Sequence, residues 1–192
     1  AYAYTRDAGS ERNVVAIYPN GFNPLITSEI TDKSISFGVR TKFCGWNSDF
    51  NGTWGSNRFH YGVEETLNAS LEASSPTEFD AGGFQLAQNT FSANFSKPIS
   101  GVGAGLNLAF GTEYRYEQYQ IFAGETASWK QYLDANGNPI VFSINGPGDT
   151  TFRPGGSQGF PGFQPKDIVK SSRKNFAAYA DAELDVTKNI LI

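Results

Sequence analysis

The chain holds one histidine, His60, and one cysteine, Cys44. An imidazole acting as a general base needs a nucleophile within hydrogen-bond reach. His60 sits between Phe59 and Tyr61 in an alternating run, with no serine or cysteine placed to serve it. One histidine and one cysteine also cannot fill a tetrahedral metal site. Cys44 reads as a small buried or lipid-facing residue rather than a reactive thiol, and a lone cysteine excludes an intrachain disulfide framework. Asp134, Asn136 and Asn138 repeat the oxygen spacing that opens a calcium loop. Such a loop requires Gly at its sixth position and a carboxylate at its twelfth, where this chain has Pro139 and Asn145. Asn136-Gly137 therefore reads as a hairpin turn. Residues 101–105, GVGAG, lack the Lys-Ser/Thr of a phosphate loop and precede a strand, so they too read as a turn. Asn51, Asn68 and Asn94 open glycosylation-like triplets of the kind chance often produces. No catalytic residue, metal ion or cofactor is expected.

What remains is charge in alternation and aromatic rings in turns. Glu113, Arg115 and Glu117 are spaced by two, as are Asp181, Glu183 and Asp185, and Arg40 and Lys42. Residues two apart on a strand share a face. If the strands around 113 and 183 pair, these charges make a ladder on a water-facing side. The segments YPNGF (18–22) and SQGFPGF (157–163) combine turn-forming Pro and Gly with Tyr or Phe that could stack on a ligand. Tyr18, Asn20, Phe22, Gln158, Phe160 and Phe163 are thus the candidate ligand contacts. The plainer alternative for them is loop-on-loop packing.

The elements that position these residues are strands. With 16 Phe, 9 Tyr, 3 Trp, 21 Gly and 9 Pro, the composition favours an all-β protein rich in turns. Residues 105–117, GLNLAFGTEYRYE, set Leu106, Leu108, Phe110, Tyr114 and Tyr116 against Asn107, Glu113, Arg115 and Glu117. Residues 32–43 set Ile35, Phe37, Val39 and Phe43 against Ser34, Ser36, Arg40 and Lys42. Cys44 to Trp46 make a short turn into a third alternating run, in which Trp46, Phe50 and Trp54 are even but Phe59, Tyr61, Val63, Leu67 and Leu71 are odd. A β-bulge at Gly55-Ser56 would explain that slip. Further strands are read near 87–96 and 175–186, with a turn at Lys97-Pro98 and another at 187–189. Both ends, AYAYTRD and KNILI, also look strand-like, as in a piece of a longer protein.

Connections near 44–46, 97–102 and 187–189 are short, and those near 8–30, 64–83 and 118–172 are long. Outer-membrane barrels alternate in this way, with tight periplasmic turns and long extracellular loops. A mid-bilayer Arg on the lipid side costs about 2–4 kcal/mol, so the charged face must be the lumen and the Leu/Phe/Tyr face must meet lipid. Tyr114, Tyr116 and Tyr119 would then form an aromatic girdle. The formal charge of −4 and scattered lysines and arginines argue against nucleic acid. No run approaches the roughly 20 apolar residues of a membrane helix, and the mean hydropathy of −0.38 is compatible with barrel strands, whose signal per segment is weak.

In order and spacing, IYPNGFNPLITSEITDKSISFGVRTKF, FDAGGFQLAQNTFSANFS, GLNLAFGTEYRYEQYQIFAGETASW, GSQGFPGFQP and NFAAYADAELDVTKNIL resemble consecutive parts of the barrel of TonB-dependent outer-membrane receptors. The resemblance spans nearly the whole chain. It implies a transmembrane antiparallel β-barrel segment, about six strands of a barrel of about 22 strands. It further implies TonB-driven uptake of a scarce nutrient (siderophore, cobalamin, glycan or peptide) across the bacterial outer membrane. The plug and the TonB-contacting part are not in this chain. Partners implied are the nutrient, outer-membrane lipid and, through the N-terminal part, the TonB complex.

Two other readings fit the alternation. A secreted β-sandwich could bind carbohydrate through its aromatic loops; it requires Phe91, Phe110 and Leu184 to be buried against a second sheet, where a barrel exposes them. An enzyme on a jelly-roll scaffold would need a convergent acid–base pair, for which Glu113 and Asp181 are the candidates.

Overall fold

A computed structural model describes residues 5–146, 148–187 and 190–192. The alternation becomes five long strands, β1 (Leu25–Phe43), β2 (Trp46–Glu64), β3 (Phe79–Ile99), β4 (Gly105–Ala123) and β7 (Val169–Thr187). A two-residue strand, β8 (Ile190–Leu191), pairs antiparallel with β7. The sheet order is β1-β2-β3-β4-β7-β8, antiparallel and not closed into a barrel among the described residues. β5 (Val141–Gly146) and β6 (Asp149–Phe152) form a separate hairpin, with Val141 opposite Phe152. The chain divides into two compact units: residues 1–31, 58–85 and 120–170, and residues 32–57, 86–119 and 171–192. Each long strand contributes residues to both.

β1 and β2 are joined by Cys44 (φ 50°) and Gly45 (φ 80°). Two positive φ values in a two-residue connection are the type I′ turn, whose twist suits a hairpin. Cys44 is therefore an exposed turn residue, which removes the buried alternative expected for it. Side-chain pairs then fix the register: Arg40 with Asp49 at 2.6 Å, Ser36 with Thr53 at 2.9 Å, and Asp32 with Asn57 at 2.7 Å. Each pair is symmetric about the Cys44-Gly45 turn, and the three straddle Gly55. The bulge expected at Gly55-Ser56 is consequently absent. Phe59 and Tyr61 keep the parity of Thr53 and Asn57, and what changes beyond Gly55 is the chemistry of the polar-side positions. Thr27 against Gly62 continues the same symmetry further along the hairpin.

Other boundaries move modestly. β1 starts at Leu25 rather than Asp32, β2 ends at Glu64 rather than near Leu71, and β3 begins at Phe79 and carries Lys97-Pro98 within it. The β3–β4 connection is the Gly-rich turn that GVGAG suggested, with Gly101 and Gly103 at positive φ, and at its end Ala104 N donates to Asp185 O of β7 at 2.6 Å. The long connection after β4 is not featureless: it contains a helical turn (Thr126–Trp129), the β5–β6 hairpin and a 3₁₀ turn (Pro165–Asp167). The strand-like start at 1–4 and the turn residues Lys188 and Asn189 lie outside the described residues.

In the unit containing residues 32–57, one sheet face is apolar yet uncovered. Trp46 meets Phe110 edge-on at 5.1 Å, Phe110 stacks on Phe95 at 4.9 Å, and Phe95 meets Phe50 edge-on at 5.5 Å. Even so, Phe37, Phe91 and Phe176 are 64%, 50% and 72% exposed. Small residues sit among these rings. Ser48, of the same parity as Trp46 and Phe50, is buried, and a Cβ on Gly52 would lie 2.6 Å from the Phe37 ring. The buried apolar core lies in the other unit, where Val14, Phe22, Leu67 and Ala69 pack with Ile17 and Tyr18.

Candidate functional site

The charged positions fall on the face opposite the aromatic one, but they do not form a single ladder. Glu117 pairs with Arg173 at 2.6 Å and accepts from Asn175 at 3.3 Å. Arg115 pairs within its own strand, with Glu113 at 2.7 Å. Glu183 faces Asn107 at 3.5 Å, Asp185 lies beside Gly105, and Asp181 is exposed. The two acidic runs are thus offset along neighbouring strands, and Arg173 is the cation sequence reading missed. Its parity with Asn175 and Tyr179 was the available signal. Arg40 and Lys42 line a shallow groove with Asn47, Asp49, Asn94 and Tyr179. Asp49, held by Arg40 and Asn51, makes that groove a paired rather than a purely cationic surface. Of the expected tyrosine girdle, Tyr119 departs: it shares the parity of Glu117 and lines a groove with Glu117 and Arg173, while Tyr114 and Tyr116 stay on the Phe110 side.

The six aromatic-loop candidates separate in a similar way. Phe22 is 7% exposed and stacked on Tyr18 at 4.7 Å, and Gln158 is 3% exposed. These three hold the loops together. Gln158 N donates to Leu67 O at 3.1 Å, its carbonyl accepts from Thr66 Oγ1 at 2.7 Å, and its Oε1 accepts from Arg12. Asn20 is exposed, and Phe160 and Phe163 are half-buried against Tyr61 at 5.1 and 6.2 Å. Tyr61 in turn neighbours Phe59 at 4.6 Å and Phe84 at 6.3 Å, and Phe59 stacks on Phe84 at 5.4 Å. Five half-buried rings therefore share one patch: Phe59 and Tyr61 from the strand expected after Trp46, Phe84 from ahead of the strand expected near 87–96, and the two loop phenylalanines.

The segment carrying Phe160 and Phe163 is held by a buried polar network. Ser157 N and Gly162 N donate to Ser128 O, Phe163 N to Ala81 O, Gly124 N to Phe163 O, and Ser157 Oγ to Phe160 O at 2.8 Å. Asn68, fully buried, donates through Nδ2 to Ala127 O and Lys130 O at 2.8 and 2.9 Å and accepts at Oδ1 from Ser70 N and Oγ. Its burial removes it as a glycosylation site. Gly162 is required here, because a Cβ would run into the Ser128 side chain.

The remaining candidate groups are engaged with local partners. His60 Nε2 lies 2.8 Å from Asp80 Oδ1 and its ring stacks on Phe122, which also carries Arg58 at 4.5 Å. Asp80 is occupied in turn by Gly82 N at 2.7 Å. Asp134 Oδ1 accepts from Asn136 N and Asn138 N, both at 2.8 Å, so this oxygen serves the Asn136-Gly137 turn. Among the described residues no cluster of three or more His, Cys, Asp or Glu could hold a metal ion. Comparison with family models, curated proteins and solved structures found no match.

Proposed function

We propose that this chain is a barrel-wall segment, with its extracellular loops, of a TonB-dependent outer-membrane receptor for nutrient uptake. The observation that carries the reading is the uncovered apolar face. Of the three side chains a sandwich would bury, Phe91 and Phe110 are 50% and 42% exposed and Leu184 is half-buried; Phe50 is 44% exposed, and these strands place Arg, Asp, Glu and Asn on the reverse. A sandwich needs those rings buried against a second sheet, and the two-stranded β5–β6 sheet belongs to the loop-rich unit. Lipid is the solvent such a face suits. Strand length agrees: 19 residues reach about 65 Å at about 3.4 Å each, or about 46 Å along the normal at a tilt of ~45°, beyond the ~25 Å apolar band of such barrels, so strands on this scale project past the membrane. The tight turns at 44–45 and 100–104 connect one set of strand ends, and the segments before β1, between β2 and β3, and between β4 and β7 connect the other.

In this reading the Arg/Glu/Asn face lines the lumen, and the open sheet edges continue into further strands of the barrel. Loops capture the nutrient, and the TonB complex acts through the plug. Cys44 tests the orientation. In a protein whose sole cysteine is Cys44, a membrane-impermeant maleimide should label it only after the outer membrane is permeabilised. A cysteine replacing Asn136, in the exposed hairpin turn, should label on intact cells. Labelling of Cys44 on intact cells would overturn the proposal.

A further inference from the structure

We infer that Phe59, Tyr61, Phe84, Phe160 and Phe163 form a stacking platform for an uncharged saccharide; the inference rests on the receptor reading and specifies its ligand class. Three features converge. First, the strand rings of the patch, Phe59, Tyr61 and Phe84, continue a face whose earlier members along β2 make hydrogen bonds. Asn57 and Thr53 precede Phe59 and Tyr61 at the same parity and bond to Asp32 and Ser36. A surface with apolar ring faces among polar neighbours matches a sugar, which offers a C–H face and a rim of hydroxyls.

Second, packing does not account for the rings. The core of that unit is built from Val14, Phe22, Leu67 and Ala69, and the 157–163 segment is pinned by backbone hydrogen bonds to Leu67, Ala81, Gly124 and Ser128. Five aromatic side chains are nevertheless left half-buried, on a segment already rigid. Rigid presentation lowers the ordering cost of binding. Phe59 and Phe84 lie nearly parallel, at 11°, but already stacked on each other at 5.4 Å, and the other rings are inclined, Phe160 to Phe163 by 80° and Tyr61 to Phe160 by 46°, so no open parallel slot awaits a flat aryl group. Inclined faces suit a puckered ring, or successive sugar rings.

Third, charge selects against anions. The unit that holds the platform carries twelve Asp and Glu against seven Lys and Arg, a difference of −5, while the whole chain stands at −4. A polyanionic ligand would be repelled by that field.

The test is calorimetric titration of the purified full-length protein with maltohexaose, with cellohexaose and, as the anionic control, with citrate. Binding of at least one hexaose, and none of citrate, is expected. Tyr61→Ala and Phe160→Ala should each weaken it roughly two- to tenfold, the worth of one aromatic contact, whereas Phe160→Trp should preserve it and thereby show that the loop is intact. Failure of both hexaoses, affinity unchanged in the folded alanine variants, or competition by citrate would each overturn the saccharide assignment. Cys44 labelling on the same protein separates the two readings. A protected Cys44 without hexaose binding leaves the receptor and removes the sugar; hexaose binding with Cys44 labelled on intact cells does the reverse.

Discussion

Arginine introduced at Phe50 and at its neighbour Asn51 should have sharply different costs if one face of β2 meets lipid. Phe50 lies four residues beyond Trp46 at the start of β2, about 14 Å along the strand at roughly 3.4 Å per residue. At the ~45° tilt of barrel strands this becomes about 10 Å along the membrane normal. The centre of a ~25 Å band lies about 12 Å from either edge, so a β1–β2 turn at the interface places Phe50 near the midplane. Phe50→Arg should then cost about 2–4 kcal/mol for the charge, plus about 0.5–1.5 kcal/mol for the lost edge contact with Phe95. Asn51 points the other way and donates to Asp49 Oδ1 at 3.1 Å on an exposed surface. Asn51→Arg keeps a donor beside Asp49 and should change stability by about 0.5 kcal/mol or less. Urea unfolding of the full-length protein from phospholipid vesicles, followed by tryptophan emission, measures both. Equal costs, or a smaller cost for Phe50→Arg, would refute the face assignment.

Three further outcomes follow from the loop-rich unit. Asn68→Ala removes both donors and an acceptor from a fully buried position and strands Ala127 O and Lys130 O; at about 1–3 kcal/mol for each buried group left unpaired, it should lower melting of that unit and expose the 157–163 amides to hydrogen exchange. Gly162→Ala forces a Cβ against Ser128 and to 3.1 Å from Ala81 Cα, and should cost about 1–3 kcal/mol as overpacking, with loss of protection at Phe163 N as the readout. Burial, aided by Glu65 and then Glu78, pushes the Tyr18 phenol above its ordinary range. The folded state thus holds that proton longer than the unfolded one, so the group's contribution is full below the unfolded value of about 10 and falls as pH rises beyond it. A melting-temperature profile across that alkaline range should be flatter in Tyr18→Phe than in the parent protein.

The strands were legible because a period of two needs no partner to be seen: Ile35, Phe37 and Val39 against Ser34, Ser36 and Arg40 predict β1 on their own. The Cys44-Gly45 turn was legible for the same local reason. The bulge was misread at Gly55 because periodicity reports where apolar residues fall, and the register that decides which face they occupy comes from β1, through Asp32 and Asn57. Phe160 and Phe163 were visible as turn aromatics, but their patch was not. It required Phe59, Tyr61 and Phe84, which are distant in sequence and lie on strands whose faces depend on that register. The Asn68–Ser128–Gln158 network left no trace at all, since buried amides and hydroxyls look like ordinary loop polarity until their partners are known. Gly162 was readable as a turn former and not as the space that Ser128 fills.

Strand β2 also indicates where an apolar solvent would end. Its even positions run Trp46, Ser48, Phe50, Gly52, Trp54 and then Ser56, Arg58 and His60. Two tryptophans bracket two small residues and a phenylalanine, about 27 Å apart along the strand at roughly 3.4 Å per residue and so about 19 Å along the normal at a tilt of ~45°, and beyond the second the same face carries a guanidinium and an imidazole. Interfacial tryptophan with charge just outside it is the pattern of a membrane boundary. The odd positions change in the opposite sense, from Asp49, Asn51 and Thr53 to Phe59, Tyr61 and Val63. A core strand of a water-soluble sandwich has no reason to exchange the polarity of its two faces midway. A wall that leaves lipid at that height does, because outside the band both faces meet water and rings on the inner one become free to stack on a ligand. An arginine scan along β2 should therefore show costs that alternate with a period of two between Trp46 and Trp54. The alternation should cease at Ser56; if it persists through His60, the boundary drawn at Trp54 is wrong.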